Sequence, residues 1–281
     1  MKTSSFLLAL MLLCGCTNGK EITYRGSTPA NAIDVRQFLG MPLADSIDFI
    51  RWKIAIHPDR YELSCQYGIG KPNTNGFWDE KRVAFSGKYT KNGHQYTLQH
   101  GDKSLSMLEI NANLVHLLDN NNNTLMGNGG WSYTLNNIHP VKSKAFNQVA
   151  QSYESAPYMV LEGRTPCKDA ASSFSLRNES DCYKLKWLFV LYTDPATGKP
   201  SHFLTGGRGY RKETMDKGKW EIIRDKDGRW IFKLYHEKYP EPLYLLRVDD
   251  TILVFTDPEG NLLVGNEDFS YTLNRTRRKM P

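Results

Sequence analysis

Five cysteines, seven histidines and a few adjacent carboxylates are the residues of this 281-residue chain whose types could do chemistry. Two of the cysteines lie at the start. Met1-Lys2 leads into an apolar run from Phe6 to Leu13, and Leu13-Cys14-Gly15-Cys16 follows. A cationic start, a short apolar stretch and a small-residue cut site are the parts of a secretory signal peptide. The run is too short for a spanning helix, which needs about 20 residues. Its last four residues resemble a bacterial lipobox, in which the Cys thiol takes a diacylglyceryl group and cleavage leaves that Cys first. We therefore expect residues 1–15 to be a signal peptide. Cys16 is the expected lipidation site, and residues 16–26 a tether to a membrane outside the cytoplasm. An ordinary signal peptide that contains two cysteines is the alternative. Thr17 stands where a retention-type aspartate could stand, which favours the outer membrane of a Gram-negative cell.

Cys65, Cys167 and Cys182 lie beyond the anchor, in a compartment that permits disulfides. Cys167 and Cys182 close a loop of about 15 residues, worth about 3 kcal/mol in loop entropy. We expect these two to be bonded and Cys65 to be reduced, with three free thiols as the alternative. His94 and His100 flank one predicted strand and share a face, but none of the histidines stands at ligand spacing beside a cysteine. Met107 and Met126 read as core filler. Asp249-Asp250 and Glu267-Asp268 are acidic pairs in turns, and neighbours on a strand point to opposite faces. Gly206-Gly207-Arg208-Gly209 is glycine-rich without a following helix to present amides to phosphate, so it reads as a bulge. We assign no catalytic residue, metal ligand or cofactor.

The elements that must position these residues repeat. Asp119 to Asn136 and Asp257 to Asn274 match without gaps, and both end in Ser-Tyr-Thr-Leu-Asn, with Trp131 standing opposite Phe269. Upstream the match is looser. Tyr61-Glu62-Leu63 aligns with Tyr183-Lys184-Leu185, Gly87-Lys88-Tyr89 with Gly209-Tyr210, and Gly40…Pro42 with Gly163…Pro166. Two homologous domains follow, at 27–137 and 156–275. The linker 138–155 has a helix-compatible stretch from Lys144 to Tyr153, and a basic tail covers 276–281.

Within each copy the hydrophobic period is two, as in Ile50, Trp52, Ile54 and Ile56. Turn signals such as Lys91-Asn92-Gly93 and Asp225-Lys226-Asp227-Gly228 separate the runs. The fold class is all-β: two tandem small antiparallel barrels of about eight strands, in up-and-down order. Such a barrel fills its interior with side chains or holds one small ligand. Trp52, Trp187, Trp220 and Trp230 are the expected interior aromatics, and we expect filled barrels.

These residues resemble the lipocalin-like N-terminal domain of NlpE-type copper-resistance lipoproteins, present here twice. The shared order is a Gly-x-x-Pro-Cys-x-x-Cys opening, a β-meander, an Asp-x-x-Gly-Asn turn and a closing Tyr-Thr-Leu strand. The resemblance implies outer-membrane attachment, sensing of envelope stress and a link to copper tolerance. Its metal motif is Cys-x-x-Cys, a pair of thiolates suited to Cu(I). That motif is degraded here: Leu43 and Ser46 hold its positions in copy one, Cys167 and Ala170 in copy two. No metal ligand is carried over.

The expected function is a non-enzymatic, membrane-anchored envelope lipoprotein acting in binding or in envelope-stress or copper-related sensing. The alternative is a structural lipoprotein that binds a small hydrophobic ligand or an envelope protein. Net charge is a modest +6 and partly sits in the tail, and an exported chain meets no nucleic acid. Copy two keeps its cysteine, so a specialised role is expected there.

Overall fold

Ile50, Trp52, Ile54 and Ile56 are buried on one side of their strand, while Arg51 and Lys53 face the other way. That alternation, repeated along the chain, closes it into two barrels. The structure, a computed structural model, describes residues 21–72, 74–143, 146–147, 156–167, 182–206 and 215–277.

Barrel 1 begins with β1 (Ile22–Pro29), a short helix α1 (Ile33–Phe38), β2 (Phe49–Ile56) and β3 (Tyr61–Gly68). It continues through β4 (Lys81–Gly87), β5 (Tyr89–Asn92), β6 (Gln95–His100), β7 (Lys103–Asn111), β8 (Leu114–Leu117) and β9 (Thr134–Asn137). The strand order is β4-β3-β2-β1-β9-β8-β7-β6-β5, antiparallel throughout. Barrel 2 comprises β10 (Tyr158–Pro166), β11 (Lys184–Thr193), β12 (Pro200–Thr205) and β13 (Asp216–Arg224). It is completed by β14 (Trp230–Tyr235), β15 (Leu243–Arg247), β16 (Ile252–Thr256) and β17 (Thr272–Thr276), and it is closed. Barrel 1 is nearly closed, because β4 and β5 are two halves of one strand that bends at Gly87-Lys88. A Cβ on Gly87 would lie 2.3 Å from the Gln99 carbonyl oxygen, so only glycine fits the bend.

Two expected boundaries move. Residues 22–26 belong to β1, so the barrel starts inside the segment expected to be tether. β17 runs to Thr276, one residue into the expected tail. The segment expected to be helical lies outside the described residues except for Phe146 and Asn147. Phe146 packs on the apolar cluster between the barrels, and the Asn147 amide donates to the Ile110 carbonyl at 2.9 Å.

Strand pairing also corrects the upstream alignment. Gly26 lies opposite Trp52, and Gly163 lies opposite Trp187. In each barrel the indole Nε1 donates to the threonine two residues after that glycine, Thr28 at 2.9 Å and Thr165 at 2.8 Å. The counterpart of Gly163-Arg164-Thr165-Pro166 is therefore Gly26-Ser27-Thr28-Pro29, not Gly40…Pro42. Likewise Gly218-Lys219 answers Gly87-Lys88, because its Cβ would also strike a carbonyl, that of Tyr235, at 2.5 Å. Tyr61 and Phe203 face these glycines at equivalent register, so Tyr61 does not correspond to Tyr183. The connecting loops differ in length between the copies and shift the spacings upstream of β7 and β15.

Both interiors are filled. Tyr24, Trp52, Tyr61, Tyr96, Met107 and Tyr133 are among the side chains buried in barrel 1. Trp187, Phe189, Phe203, Trp220, Phe232 and Phe255 are among those in barrel 2. Trp230 corrects the expectation. It is half-buried at the start of β14, with the Arg224 guanidinium 3.5 Å from its ring centroid.

The closing motif joins the barrels face to face. The Gly127 amide donates to Asn274 Oδ1 at 3.0 Å, and its counterpart Gly265 donates to Asn136 Oδ1 at 2.9 Å. Ser132 meets its own counterpart Ser270 at 2.7 Å, and Thr134 meets Thr272 at 3.0 Å. Residue i of one copy touches residue j of the other, and j touches i, which is the signature of a two-fold interface. Beside this polar seam, Ile110 and Leu114 pack against their equivalents Val248 and Ile252 in one shared apolar cluster. The other repeated residues shape the turns. Asp119 Oδ1 accepts the amides of Asn121 and Asn123, as Asp257 Oδ1 accepts that of Asn261.

Candidate functional site

The chemistry-bearing residues picked from sequence do not converge. Cys16 and Ala170 lie outside the described residues. Cys167 and Cys182 form the expected disulfide, with Cα atoms 5.6 Å apart. Cys65 is a free thiol buried in barrel 1, and burial pushes its pKa well above the usual range. Leu43 is exposed and Ser46 is in a loop, and neither holds a position of the metal motif. The strand alignment puts Ala30 and Ile33 there instead. A disulfide-bonded Cys167 at one motif position and an alanine at the other do not offer the thiolate pair that Cu(I) would need. Among the described residues, no three His, Cys, Asp or Glu side chains are grouped to hold a metal ion.

The histidines stay apart. His94 and His100 are exposed at opposite ends of β6, His94 within 3.9 Å of Glu109 and His100 stacked on Phe85. Met107 is core, and Met126 is half-buried. Asp249 is buried and accepts the amides of Thr251 and Ile252, while Asp250 pairs with Arg247. Gly206 follows β12, and Gly207, Arg208 and Gly209 lie outside the described residues. Glu267 and Asp268 reach the other barrel. Glu267 pairs with Arg25 at 2.9 Å and Asp268 with Arg51 at 2.9 Å. Asp268 also accepts from Asn75 Nδ2 at 2.6 Å. Burial raises the Asp268 pKa, and the Arg51 charge partly offsets that.

Arg25 and Arg51 mark a feature that the sequence reading missed. On the outer face of β1 to β4, Arg25, Lys53, Ser64 and Ala84 form one cross-strand row. Ser27, Arg51, Gln66 and Arg82 form the next. Strands lie about 4.8 Å apart, so four cations from three of these four strands share a patch roughly 15 Å wide. The small side chains of Ser64 and Ala84 floor a trough of about 430 Å³ at this end. It continues for about 470 Å³ past Lys53 and Ala55 to His57, which sits 3.7 Å from Glu21 and 3.5 Å from Glu62. One end of the trough is basic and the other acidic.

The second copy is an internal comparison. At register positions equivalent to Thr23, Lys53 and Ala55, barrel 2 has Val160, Leu188 and Val190, all buried. Leu204 and Met215 stand for Glu62 and Ala84, and pack on the same apolar cluster. The middle and acidic end of the trough thus answer to a buried apolar face in copy two, while its basic end answers to Glu162, Arg164 and Lys186. Each cation is ordinary within its own strand. Only the pairing register assembles them, so no local signal in the sequence could have shown the site.

Comparison with known proteins adds no assignment: no family model, curated protein or solved structure matches this chain.

Proposed function

We propose that the protein is a membrane-anchored, non-enzymatic envelope lipoprotein that works by binding. Its anchor is Cys16, and its place is outside the cytoplasm, at the outer membrane. The NlpE resemblance suggests envelope-stress or copper-related sensing as the class of role. The observation that carries a binding role on the outer surface is that both barrel interiors are occupied by their own aromatic and aliphatic side chains. A lipocalin-type ligand needs a concave apolar cavity, and these side chains fill that volume. The trough on barrel 1 leaves recognition to the outside, which favours an envelope partner over a small hydrophobic ligand.

Cell fractionation tests the reading. The wild-type chain is expected in the membrane fraction, with an N-terminal peptide that carries acyl mass on Cys16. Cys16→Ser is expected to release it to the soluble envelope fraction. A Cys16→Ser protein that stays membrane-bound, or a native chain without acyl mass, would contradict the anchor.

A further inference from the structure

The trough on barrel 1 has a chemistry of its own. Arg51 is held by the largely buried Asp268, while Arg25 and Arg82 make exposed pairs with Glu267 and Glu80. Lys53, between them, has no ion pair among the described residues and is exposed. Arg25 Nε, Arg51 Nε and the nearby Ser27 Oγ are buried without a hydrogen-bond partner among the described residues. These atoms lie beneath the trough surface, so a ligand there meets the Nη ends of the guanidinium groups and Lys53 Nζ. Ser64 and Gln66 add neutral polar groups beside the cations. Glu21 and Glu62 make the far end hostile to anions, so a negative group is directed to the arginine end.

We propose that the basic end of this trough binds a phosphate-bearing ligand, seated on Arg25, Arg51, Lys53 and Arg82. Forked guanidinium donors suit phosphate oxygens, and a lysine adds a point charge. The proposal rests on the reading that recognition lies outside the barrels, and it places that recognition in copy one rather than in the cysteine-bearing copy two. The divergence between the copies supports it. The fold is kept with Leu188 for Lys53, Leu204 for Glu62 and Glu162 for Arg25, although Lys186 keeps the charge of Arg51, so the charge pattern of copy one is not required to build a barrel. A membrane lipid headgroup and a free phosphorylated molecule present the same group.

The test uses the full mature chain as Cys16→Ser, which removes the expected anchor as a source of membrane binding. Inorganic pyrophosphate is titrated calorimetrically, and flotation is measured with phosphatidylglycerol and with phosphatidylcholine vesicles. Lys53→Glu and Arg82→Glu alter exposed side chains, and Lys219→Glu on barrel 2 is the matched control. Near-ultraviolet circular dichroism confirms that each variant folds. Saturable pyrophosphate binding that weakens about tenfold or more in Lys53→Glu and Arg82→Glu, but not in Lys219→Glu, supports a free phosphorylated ligand. The same pattern in flotation on phosphatidylglycerol alone supports a lipid headgroup. Binding in neither arm, or an equal loss in all three variants, overturns the proposal. The fractionation behaviour of Cys16 is unaffected by either result, so failure of the trough and failure of the anchor are distinguishable.

Discussion

The amide of Gly127 in the first barrel donates to Asn274 Oδ1 in the second at 3.0 Å, and the repeat turns this one bond into two. Gly265 returns it to Asn136 at 2.9 Å. The bonds are equivalent, but their asparagines are not. Asn136 Nδ2 also donates to the Asn266 carbonyl at 2.9 Å, whereas Asn274 Nδ2 is buried without a partner among the described residues. Asn136→Ala is therefore expected to destabilise by about 2–3 kcal/mol and Asn274→Ala by about 1–2. Chemical denaturation measures both. The native chain is expected to unfold in one calorimetric transition, and the double variant in two, because the seam joins the barrels. Equal costs, or two transitions in the native chain, would count against this.

His116 makes the same seam sensitive to acid. Its Nε2 lies 2.8 Å from the Leu125 carbonyl and must carry the proton, so Nδ1 accepts from the Thr134 hydroxyl at 2.8 Å. Thr134 in turn accepts from Thr272 across the interface. Burial holds the His116 pKa below its usual value, against the opposing pulls of the Leu125 carbonyl and Asp249. The unfolded chain takes up a proton below pH about 6.5 and the folded chain does not, so stability falls as the pH drops from there towards the depressed folded value. The register-equivalent residue in copy two is Val254. His116→Val is expected to flatten the loss of urea midpoint between about pH 7.5 and about pH 5.5. An unchanged slope would show that other groups carry it.

How much of this the sequence revealed depends on where the copies kept their spacing. The closing motif aligns without gaps because its Asp, Asn and Gly residues each hold a turn or a seam bond. The period-two runs around Trp52 and Trp187 gave strands, and the Cys167–Cys182 pairing followed from spacing and compartment. Upstream, unequal loops defeated alignment by eye. Gly40…Pro42 was matched to Gly163…Pro166, although Gly26-Ser27-Thr28-Pro29 has the same Gly-x-Thr-Pro pattern. The role of that pattern, a glycine under an indole and a threonine accepting from it, shows only in the paired strands. The trough was invisible for a related reason: Arg25, Arg51, Lys53 and Arg82 come from three strands and become neighbours only through register.

The three cysteines of the barrels are expected to behave in two ways. Removing the disulfide as Cys167→Ala with Cys182→Ala should cost about 3 kcal/mol, the entropy of its 15-residue loop. Cys65 should resist iodoacetamide in the native protein and react in urea, since a buried thiol with a raised pKa supplies little thiolate. Chemical denaturation reads the first, and mass spectrometry of tryptic peptides the second. Rapid native labelling of Cys65 would mean that barrel 1 opens readily.

The most direct test asks whether the barrels are filled scaffolds that leave recognition to the outside. A fluorescent fatty acid is titrated into the protein while energy transfer from tryptophan is followed; Trp52 and Trp187 lie among the two interiors. The predicted result is no saturable transfer, and no change when Lys53→Glu alters the outer face. Stoichiometric, saturable transfer that is lost when Trp52 or Trp187 is replaced by phenylalanine would place a ligand inside a barrel and contradict the account.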